Sequence, residues 1–428
     1  MRHVHEECTQ FKQLCKQTKK GLGASSAAGD SGSWQLLATR PLKNLGNSCY
    51  INSVLQMLAA IPDFQSHLCR MQENVKHRHS DSGSPFGCSS SSAAMTDECQ
   101  SPPFLADLCE LLTKNLNKPS ASSLGPIDIT TLRRRFRAPF KGNEQQDADE
   151  FLTYILDYLE TECGYEPFTA WLDILQGEVT SSIKCEKCGK VTSTVDSFMV
   201  LKIKFQPSCT TTAVNITDLL TYNFAQEQLV GENQFDCQQC KTTRQDDTKQ
   251  DATKTLLFSL HPPTLLVSFA RFNLNVYTGV NTKISTPVNF GRTLQFQDNV
   301  IYNLIGIIIH DGRTDVSGHY YAYLQLGHSW FVVNDQDVRS ASDDEVDIVC
   351  TGQHRHGVTP YILSYVPAYR VIVKPVFHGS SLRVPQRFLV CGQWEFLICS
   401  KSHGCTPGQR LHLTTIFKKI IEKIHQHN

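Results

Sequence analysis

The sequence predicts an α+β fold, because helical patterns occupy the first part of the chain and strand patterns the second. Apolar residues recur at i, i+3, i+4 and i+7 over 51–58 and again over 152–159. From about residue 176 onward, the chain becomes rich in β-branched and aromatic runs. Helices that precede strands, instead of alternating with them, are typical of α+β proteins.

Each predicted element has its own local signal. The first helix carries its apolar stripe from Ile51 to Leu58, and Pro62 is expected to end it. The second helix has Asp147, Asp149 and Glu150 in its first turn, where acidic residues complement the helix dipole. Five runs are expected to form strands, and they are 264–272, 301–310, 319–326, 329–335 and 361–366.

Composition and charge narrow the class of protein. The 428 residues contain 41 Lys+Arg and 41 Asp+Glu, so the chain lacks the basic field that nucleic-acid binding normally uses. We find neither the apolar run of a secretory signal nor one long enough for a membrane span. We therefore expect a protein of the cytoplasm, the nucleus or both, with no nucleic-acid partner.

Three segments are expected to lie outside the ordered core. Residues 1–40 are interpreted as an N-terminal segment and a partly disordered linker, and the Ser-rich stretch 77–103 as a disordered insertion. Residues 368–428 form a C-terminal extension whose apolar stripe from Leu413 to Ile424 predicts an amphipathic helix. That helix could dock on a partner or a membrane surface, or pack on the protein's own core.

Cys49 is a candidate nucleophile because it lies where the first helix begins. The positive end of the helix dipole and the free backbone N–H groups there favour a thiolate, although a buried structural cysteine is the alternative. Asn47 or Ser48 could cap the helix, and the Asn44 amide is suited to stabilising an oxyanion.

A cysteine nucleophile needs a base, and His319 is the best-placed histidine. It begins a strand that is expected to form a hairpin with 329–335. A three-residue loop would set His319 opposite Asp335, and a register shifted by one residue would set it opposite Asn334. Either side chain could orient the imidazole, and His310 and His328 remain rival bases.

Two C-x-x-C pairs predict a metal site. Cys185/Cys188 and Cys237/Cys240 have the spacing with which two knuckles complete a tetrahedral Cys₄ zinc site. A filled Cys₄ site has no open coordination position, so we expect one structural Zn²⁺ and no catalytic cofactor. Four unrelated thiols, or redox dithiols, are the alternatives.

These motifs, in this order, resemble the ubiquitin-specific protease family of cysteine deubiquitinases. The resemblance covers about residues 41–367 and lies in six features: the C-x-x-C pairs and the segments 41–58, 143–156, 261–272, 317–338 and 359–366. It implies a papain-like cysteine protease core with helical and β-sheet subdomains. It also implies zinc-binding β fingers, placed here at about 176–260.

The resemblance also implies roles for individual residues. Cys49 would be the nucleophile, His319 the general base and Asn334 the orienting residue, with Asp335 able to share that role. Asn44 would be the oxyanion donor. Substrate binding would fall to Asp147 and Gln146 in segment 143–156 and to Tyr320 in segment 317–338.

The function implied is that of a thiol-dependent ubiquitinyl hydrolase. It would cleave the isopeptide or peptide bond after the last glycine of ubiquitin through a thioester, and its partners would be ubiquitin and ubiquitinated proteins. The alternatives are a catalytically weak or inactive ubiquitin-binding scaffold, and an isopeptidase for another ubiquitin-like modifier. Val333 stands where the family usually has an aromatic residue.

Overall fold

A computed structural model of the chain describes residues 38–62, 64, 108, 125–163, 174–207, 213–244, 248–275, 280–296, 300–314, 317–353, 355 and 357–368. The helices are α1 Cys49–Ala60, α2 Thr130–Arg135, α3 Ala148–Cys163, α4 Ile216–Asn223, α5 Gln238–Arg244 and α6 Asp343–Cys350. The strands up to residue 269 are β1 Gly177–Cys185, β2 Val191–Phe198, β3 Val200–Ile203, β4 Val214–Asn215, β5 Glu227–Leu229, β6 Ala252–Leu260 and β7 Leu265–Phe269. The later strands are β8 Phe272–Asn275, β9 Val280–Lys283, β10 Val288–Asn289, β11 Thr293–Gln295, β12 Ile301–Asp311, β13 His319–Leu326, β14 Ser329–Asn334, β15 Asp337–Ala341 and β16 Val358–Pro367.

The predictions made for the two ends and for the Ser-rich insertion fall outside the described residues. They concern 1–37, 77–103 and 369–428, including the C-terminal amphipathic helix. In the described part of the chain, none of the helices has the length and apolar character needed to cross a membrane.

The chain divides into two compact units. The first contains residues 1–168 and 307–343, and the second contains 169–306 and 344–428.

Helix α1 forms the centre of the first unit. All twelve of its residues are buried, and it packs against α3 and β13. The sequence predicted an amphipathic helix, but Asn52 and Gln56 on its polar side are buried as well. The side-chain N–H groups of both residues donate hydrogen bonds to distant partners, which satisfies donors that burial would otherwise penalise.

An aromatic cluster joins α1 to α3. Phe151 of α3 meets Tyr50 and Phe140 edge-on, with ring centroids 5.5 and 5.4 Å apart. Edge-to-face pairs of this kind add to the energy of burying the rings. The cluster therefore fixes the start of α1, where Cys49 lies.

The hairpin of β13 and β14 has a different register from both predicted ones. Leu326 pairs with Ser329 across a two-residue turn, and Ala322 pairs with Val333. The residue numbers of each pair therefore add up to 655. In this register the position opposite His319 is neither Asn334 nor Asp335. Strand β15 continues the antiparallel arrangement beyond β14.

The second unit contains an antiparallel sheet of order β2-β1-β6-β5. It occupies the segment in which the fingers were expected, and its cysteines lie at one end of β1 and near α5. In the same unit the fully buried β7 pairs with β3 in parallel and with β16 in antiparallel.

Candidate active site and metal centre

Cys49 is the first residue of α1 and is buried. Ser48 occupies the N-cap position, but its side chain does not cap the helix. Its hydroxyl instead accepts a hydrogen bond from the Leu45 N–H at 2.8 Å. The side chain at the N-cap therefore leaves the free N–H groups of the first turn of α1 without a capping bond.

The structure places His319 between Cys49 and Asn334. The Nε2–H of His319 donates to Asn334 Oδ1 at 2.5 Å, which leaves the other ring nitrogen for the thiol. Extended by one pair beyond Ala322–Val333, the register sets Tyr321 opposite Asn334, so the contact with His319 runs diagonally across the strand pair.

The pKa of His319 is raised from 6.5 to about 9. The hydrogen bond with Cys49 is the largest cause, and partial burial of the ring opposes it. The hydrogen bond with Asn334 and the negative charges of Cys49 and Asp335 raise the pKa further. The imidazole therefore holds a proton readily, as an acid for a leaving amine must.

Asp335 connects the loop before α1 with α1 itself. Its carboxylate accepts hydrogen bonds from the side-chain amides of Asn44 and Asn52, both at 2.7 Å. Its backbone oxygen accepts from the Leu42 N–H at 2.8 Å. Asp335 therefore does not bond His319 directly, and the Asn44 amide, the expected oxyanion donor, already gives one hydrogen bond to this carboxylate.

The segment before α3 contains two of the predicted substrate-binding residues. Asp147 Oδ1 accepts from the N–H groups of Asp149 and Glu150, so this side chain caps α3. Gln146 is partly exposed. The preceding Gln145 pairs with Gly318: its Nε2 donates to the Gly318 oxygen at 2.5 Å and its Oε1 accepts from the Gly318 N–H at 3.3 Å.

Tyr320, the third predicted substrate-binding residue, is buried beside His310. It is only 1% exposed and packs against His310 with ring centroids 4.7 Å apart. Successive strand residues point to opposite faces, so Tyr320 turns inward where His319 turns toward Cys49. Tyr320 therefore packs in the interior, and its role in substrate binding stays a prediction. The rival His310 is buried on that inner face, and His328 lies exposed in the turn.

Four cysteine sulfurs converge in the second unit. Those of Cys185, Cys188, Cys237 and Cys240 all lie within 4.8 Å of one another. The pairs Cys185–Cys240 and Cys188–Cys237 are separated by 3.9 and 3.5 Å. A tetrahedral Zn²⁺ with bonds of about 2.3 Å sets its sulfurs about 3.8 Å apart, so these residues fit that ion.

The two cysteine pairs differ in their local structure. Cys185 ends β1, and a turn through Gly189, whose φ is +72°, leads into β2. Cys237 lies just before α5, which contains Cys240. The segment between the pairs lies where β fingers were expected, and it also contains α4.

Sequence reasoning missed Gln145, Asn52 and Arg133 at this site. Arg133 is 6% exposed and donates from Nη1 to the Leu45 and Gly46 oxygens, at 3.2 and 3.4 Å. Arg133 follows Leu132 in an otherwise polar helix, TTLRRR, and only its burial distinguishes it from Arg134. The sequence around Arg133 therefore did not indicate that its side chain would be buried at the site.

Comparison with known proteins identifies the family. The sequence model of the ubiquitin carboxyl-terminal hydrolase family matches residues 40–365. Ubiquitin carboxyl-terminal hydrolase 25 of Arabidopsis thaliana is 28% identical over 331 residues, 71% of this chain and 45% of the relative. Probable ubiquitin carboxyl-terminal hydrolase 16 of Schizosaccharomyces pombe is 25% identical over 320 residues, 71% of this chain and 64% of the relative.

A solved structure shares the fold. It is the SAGA DUB module of Ubp8, Sgf11, Sus1 and Sgf73 bound to monoubiquitin, with a TM-score of 0.59 and 22% identity over 83% of this chain and 75% of that one. This likeness and the mixture of helices and strands confirm the predicted fold class. The chain belongs to the ubiquitin carboxyl-terminal hydrolase family, and it spans about half to two thirds of the length of the Arabidopsis and Schizosaccharomyces relatives.

Proposed function

We propose that this chain is a cysteine deubiquitinase that hydrolyses the bond after the C-terminal glycine of ubiquitin. The observation that carries the proposal is the contact of His319 with both Cys49 and Asn334. Family membership and the names of the relatives support ubiquitin as the modifier. The structural relative, which was solved with monoubiquitin bound, supports it at the level of the fold.

The first half of the proposed reaction forms a thioester. The Cys49 thiolate attacks the carbonyl carbon of the terminal glycine, while Asn334 keeps the His319 ring in position. Backbone N–H groups at the start of α1 stabilise the oxyanion, together with the Asn44 amide. His319 then gives its proton to the departing amine, which leaves with that proton.

The second half restores the enzyme. His319, now neutral, accepts a proton from water as the oxygen attacks the thioester carbonyl. The Cys49 sulfur leaves as a thiolate, and the product is the C-terminal carboxylic acid of ubiquitin, which loses its proton to the solvent. The net reaction consumes one water.

The test is hydrolysis of ubiquitin that carries a fluorogenic C-terminal amide, measured beside a ubiquitin probe with a C-terminal electrophile. We expect turnover, and one covalent adduct that is lost in Cys49→Ala. His319→Ala should lower turnover by at least about 10³-fold. Cys350→Ser and His328→Ala are matched controls, since these residues lie outside the site.

Each other outcome has a definite meaning. Binding of ubiquitin without an adduct or turnover would replace the proposal with a non-catalytic scaffold. Adducts with probes made from another ubiquitin-like modifier, and none with ubiquitin, would keep the chemistry and change the substrate.

We propose further that Cys185, Cys188, Cys237 and Cys240 bind one structural Zn²⁺. The sulfur separations of 3.5 and 3.9 Å support this, as does the burial of three of the four side chains. A thiolate site of this kind suits a reducing compartment, so we also propose the cytoplasm or the nucleus as its location. Native mass spectrometry should find one zinc per chain, lost in Cys237→Ser and kept in Cys350→Ser.

A further inference from the structure

The loop before Cys49 has a left-handed backbone at two successive residues. Gly46 has φ +82° and Asn47 has φ +52°. A left-handed conformation at a residue other than glycine costs free energy, so surrounding contacts must hold this one in place. Those contacts come from the side chains of Asn44, Ser48 and Arg133, and from Asn47 Nδ2, which donates to the Asn143 oxygen at 3.1 Å.

The backbone N–H groups of this loop differ in whether they have a hydrogen-bond acceptor. The Leu45 N–H donates to Ser48 Oγ, and those of Gly46 and Ser48 donate to Asn44 Oδ1, at 3.0 and 3.3 Å. The backbone N–H groups of Asn47 and Cys49 have no acceptor among the residues that the structure describes. These two are therefore available to a ligand beside the Cys49 sulfur.

The carbonyl oxygens of the same loop face Arg133. Its Nη1 donates to the Leu45 and Gly46 oxygens, and its Nη2 donates to the Gly142 oxygen. The guanidinium is buried, and its bonds within the described ranges go to carbonyl oxygens and to no carboxylate. A buried charge bonded in this way orients neutral peptide groups by its field as well as by its geometry.

Because the peptide group is planar, the contact of Arg133 with the Gly46 oxygen also fixes the direction of the Asn47 N–H. The Gly46 carbonyl and the Asn47 N–H belong to one trans peptide, in which they point in opposite directions. When Arg133 holds the Gly46 oxygen, the Asn47 N–H must point away from Arg133. The guanidinium therefore controls a group that it does not touch.

We infer that Arg133 is a positioning residue that aims the Asn47 N–H at the oxyanion formed on Cys49. Together with the Cys49 N–H, this group supplies two backbone donors. The inference rests on the proposed acyl transfer, because only that reaction places a negative oxygen at this position. Arg133 acts through the loop and does not itself contact the substrate.

The experiment compares Arg133→Lys and Arg133→Gln with the control Arg134→Lys, whose side chain is exposed on the same helix. Lysine keeps the charge but has no planar fork for two carbonyls. We expect kcat for the ubiquitin amide to fall on the order of 10- to 100-fold in both Arg133 variants, with KM within about threefold of wild type. Arg134→Lys should leave both constants unchanged.

A second readout separates positioning from general damage to the site. Alkylation of Cys49 by iodoacetamide uses the same thiol but forms no oxyanion. Its rate should change by less than about threefold in the Arg133 variants, provided that their melting temperatures show a folded protein. An equal loss of alkylation and turnover, or unchanged kcat in Arg133→Lys, overturns the inference.

A measurement on the wild type covers the case in which the variants do not fold. Ubiquitin ending in an aldehyde forms a tetrahedral adduct with Cys49, and the ¹H–¹⁵N resonances of Asn47 and Cys49 should then move downfield. Unmoved resonances in a formed adduct contradict the role of these two donors. A wild type that forms no adduct and has no turnover refutes the proposed function, and with it the reaction that Arg133 would serve.

Discussion

The protonation of His319 depends on its neighbours. Its pKa of about 9 arises first from the hydrogen bond with Cys49 and to a lesser degree from that with Asn334. His310, nine positions earlier, is completely buried, and His328 is exposed in a turn. The contact with a thiol therefore distinguishes His319 from the other two.

Cys49→Ala should lower the pKa of His319 more than Asn334→Ala does, because the larger of the two raising contacts is lost. NMR titration of the ring protons measures both values. A larger fall in Asn334→Ala would mean that the amide, and not the thiol, contributes most to the raised pKa.

The same pKa sets a pH window for stability. The folded pKa of about 9 exceeds the ordinary 6.5, so protonated His319 stabilises the folded state. That stabilisation is complete below pH 6.5 and is lost as the pH rises through about 9. The difference in unfolding free energy between wild type and Cys49→Ala should therefore shrink across this window, which denaturant titrations at each pH can follow.

Gly318 is expected to tolerate no side chain. A Cβ there would overlap His310 Nε2 and lie 3.0 Å from the Asp311 oxygen, and the φ of Gly318 is +155°. Gly318→Ala should lower the free energy of unfolding by about 2 kcal/mol, as overpacking of a core does. It should also lower turnover, because the next residue is His319.

Gly125→Ala is the matched control for Gly318→Ala. A Cβ at Gly125 would have no atom within 4 Å, so this variant should keep its stability and turnover. A Gly318→Ala protein as stable as wild type would show that His310 can move aside.

The candidate site was only partly predictable from single residues. Cys49 and His319 lie in local motifs that mark a helix start and a strand start, and the structure brings them together. Gln145 meets Gly318 across 173 positions of sequence, and Asn52 meets Asp335 across 283. Such contacts arise only when the chain is folded, so neither residue could be identified beforehand.

At the level of elements, the predicted register of the β13–β14 hairpin was wrong because its turn is shorter than expected. The β13–β14 hairpin turns at Gly327 and His328, and Gly327 has φ +61°, which suits a tight two-residue turn. The sequence was equally compatible with a longer loop. Each residue added to the loop shifts the register, so the partner of His319 could not be fixed from the pattern alone.

The turn from β14 into β15 is expected to hold α1 and the loop before it through Asp335. Asp335→Asn has nearly the same shape and tolerates the φ of +52°, but it loses the charge that accepts two amides. We expect the free energy of unfolding to fall by about 2 kcal/mol, since hydrogen bonds to charged groups are the stronger ones. Turnover should fall as well, because Asn44 loses its partner.

Asp337→Asn provides the comparison for this turn, because Asp337 is exposed and lies two residues away. It should change neither stability nor turnover. An Asp335→Asn protein that matches Asp337→Asn in both measurements would remove Asp335 from the connection between these elements.

For the molecule as a whole, the cysteine spacing predicted a cluster but not its surroundings. Cys185 and Cys237 come from segments that are 52 positions apart, and they meet because β1 pairs with β6 while Phe235 bridges to Gln250. The helix that contains Cys240 carries no strong apolar stripe, so its sequence, QQCKTTR, did not predict it. Pairing between distant segments therefore determines the surroundings of the cysteine cluster, which local sequence patterns did not predict.

Loss of zinc is expected to affect the two units of the chain unequally. Apart from Phe235, the cysteine cluster packs no further hydrophobic side chain among the described residues, and β2 is exposed along nearly its whole length. A metal contributes directly to the stability of a site with so little apolar burial. In Cys237→Ser, amide hydrogen exchange should therefore accelerate in Gly177–Cys185 and Ala252–Leu260 but hardly change in Cys49–Ala60. The zinc-retaining Cys350→Ser should exchange like wild type in all three segments, and equal acceleration of all three in Cys237→Ser would show that the metal stabilises the first unit too.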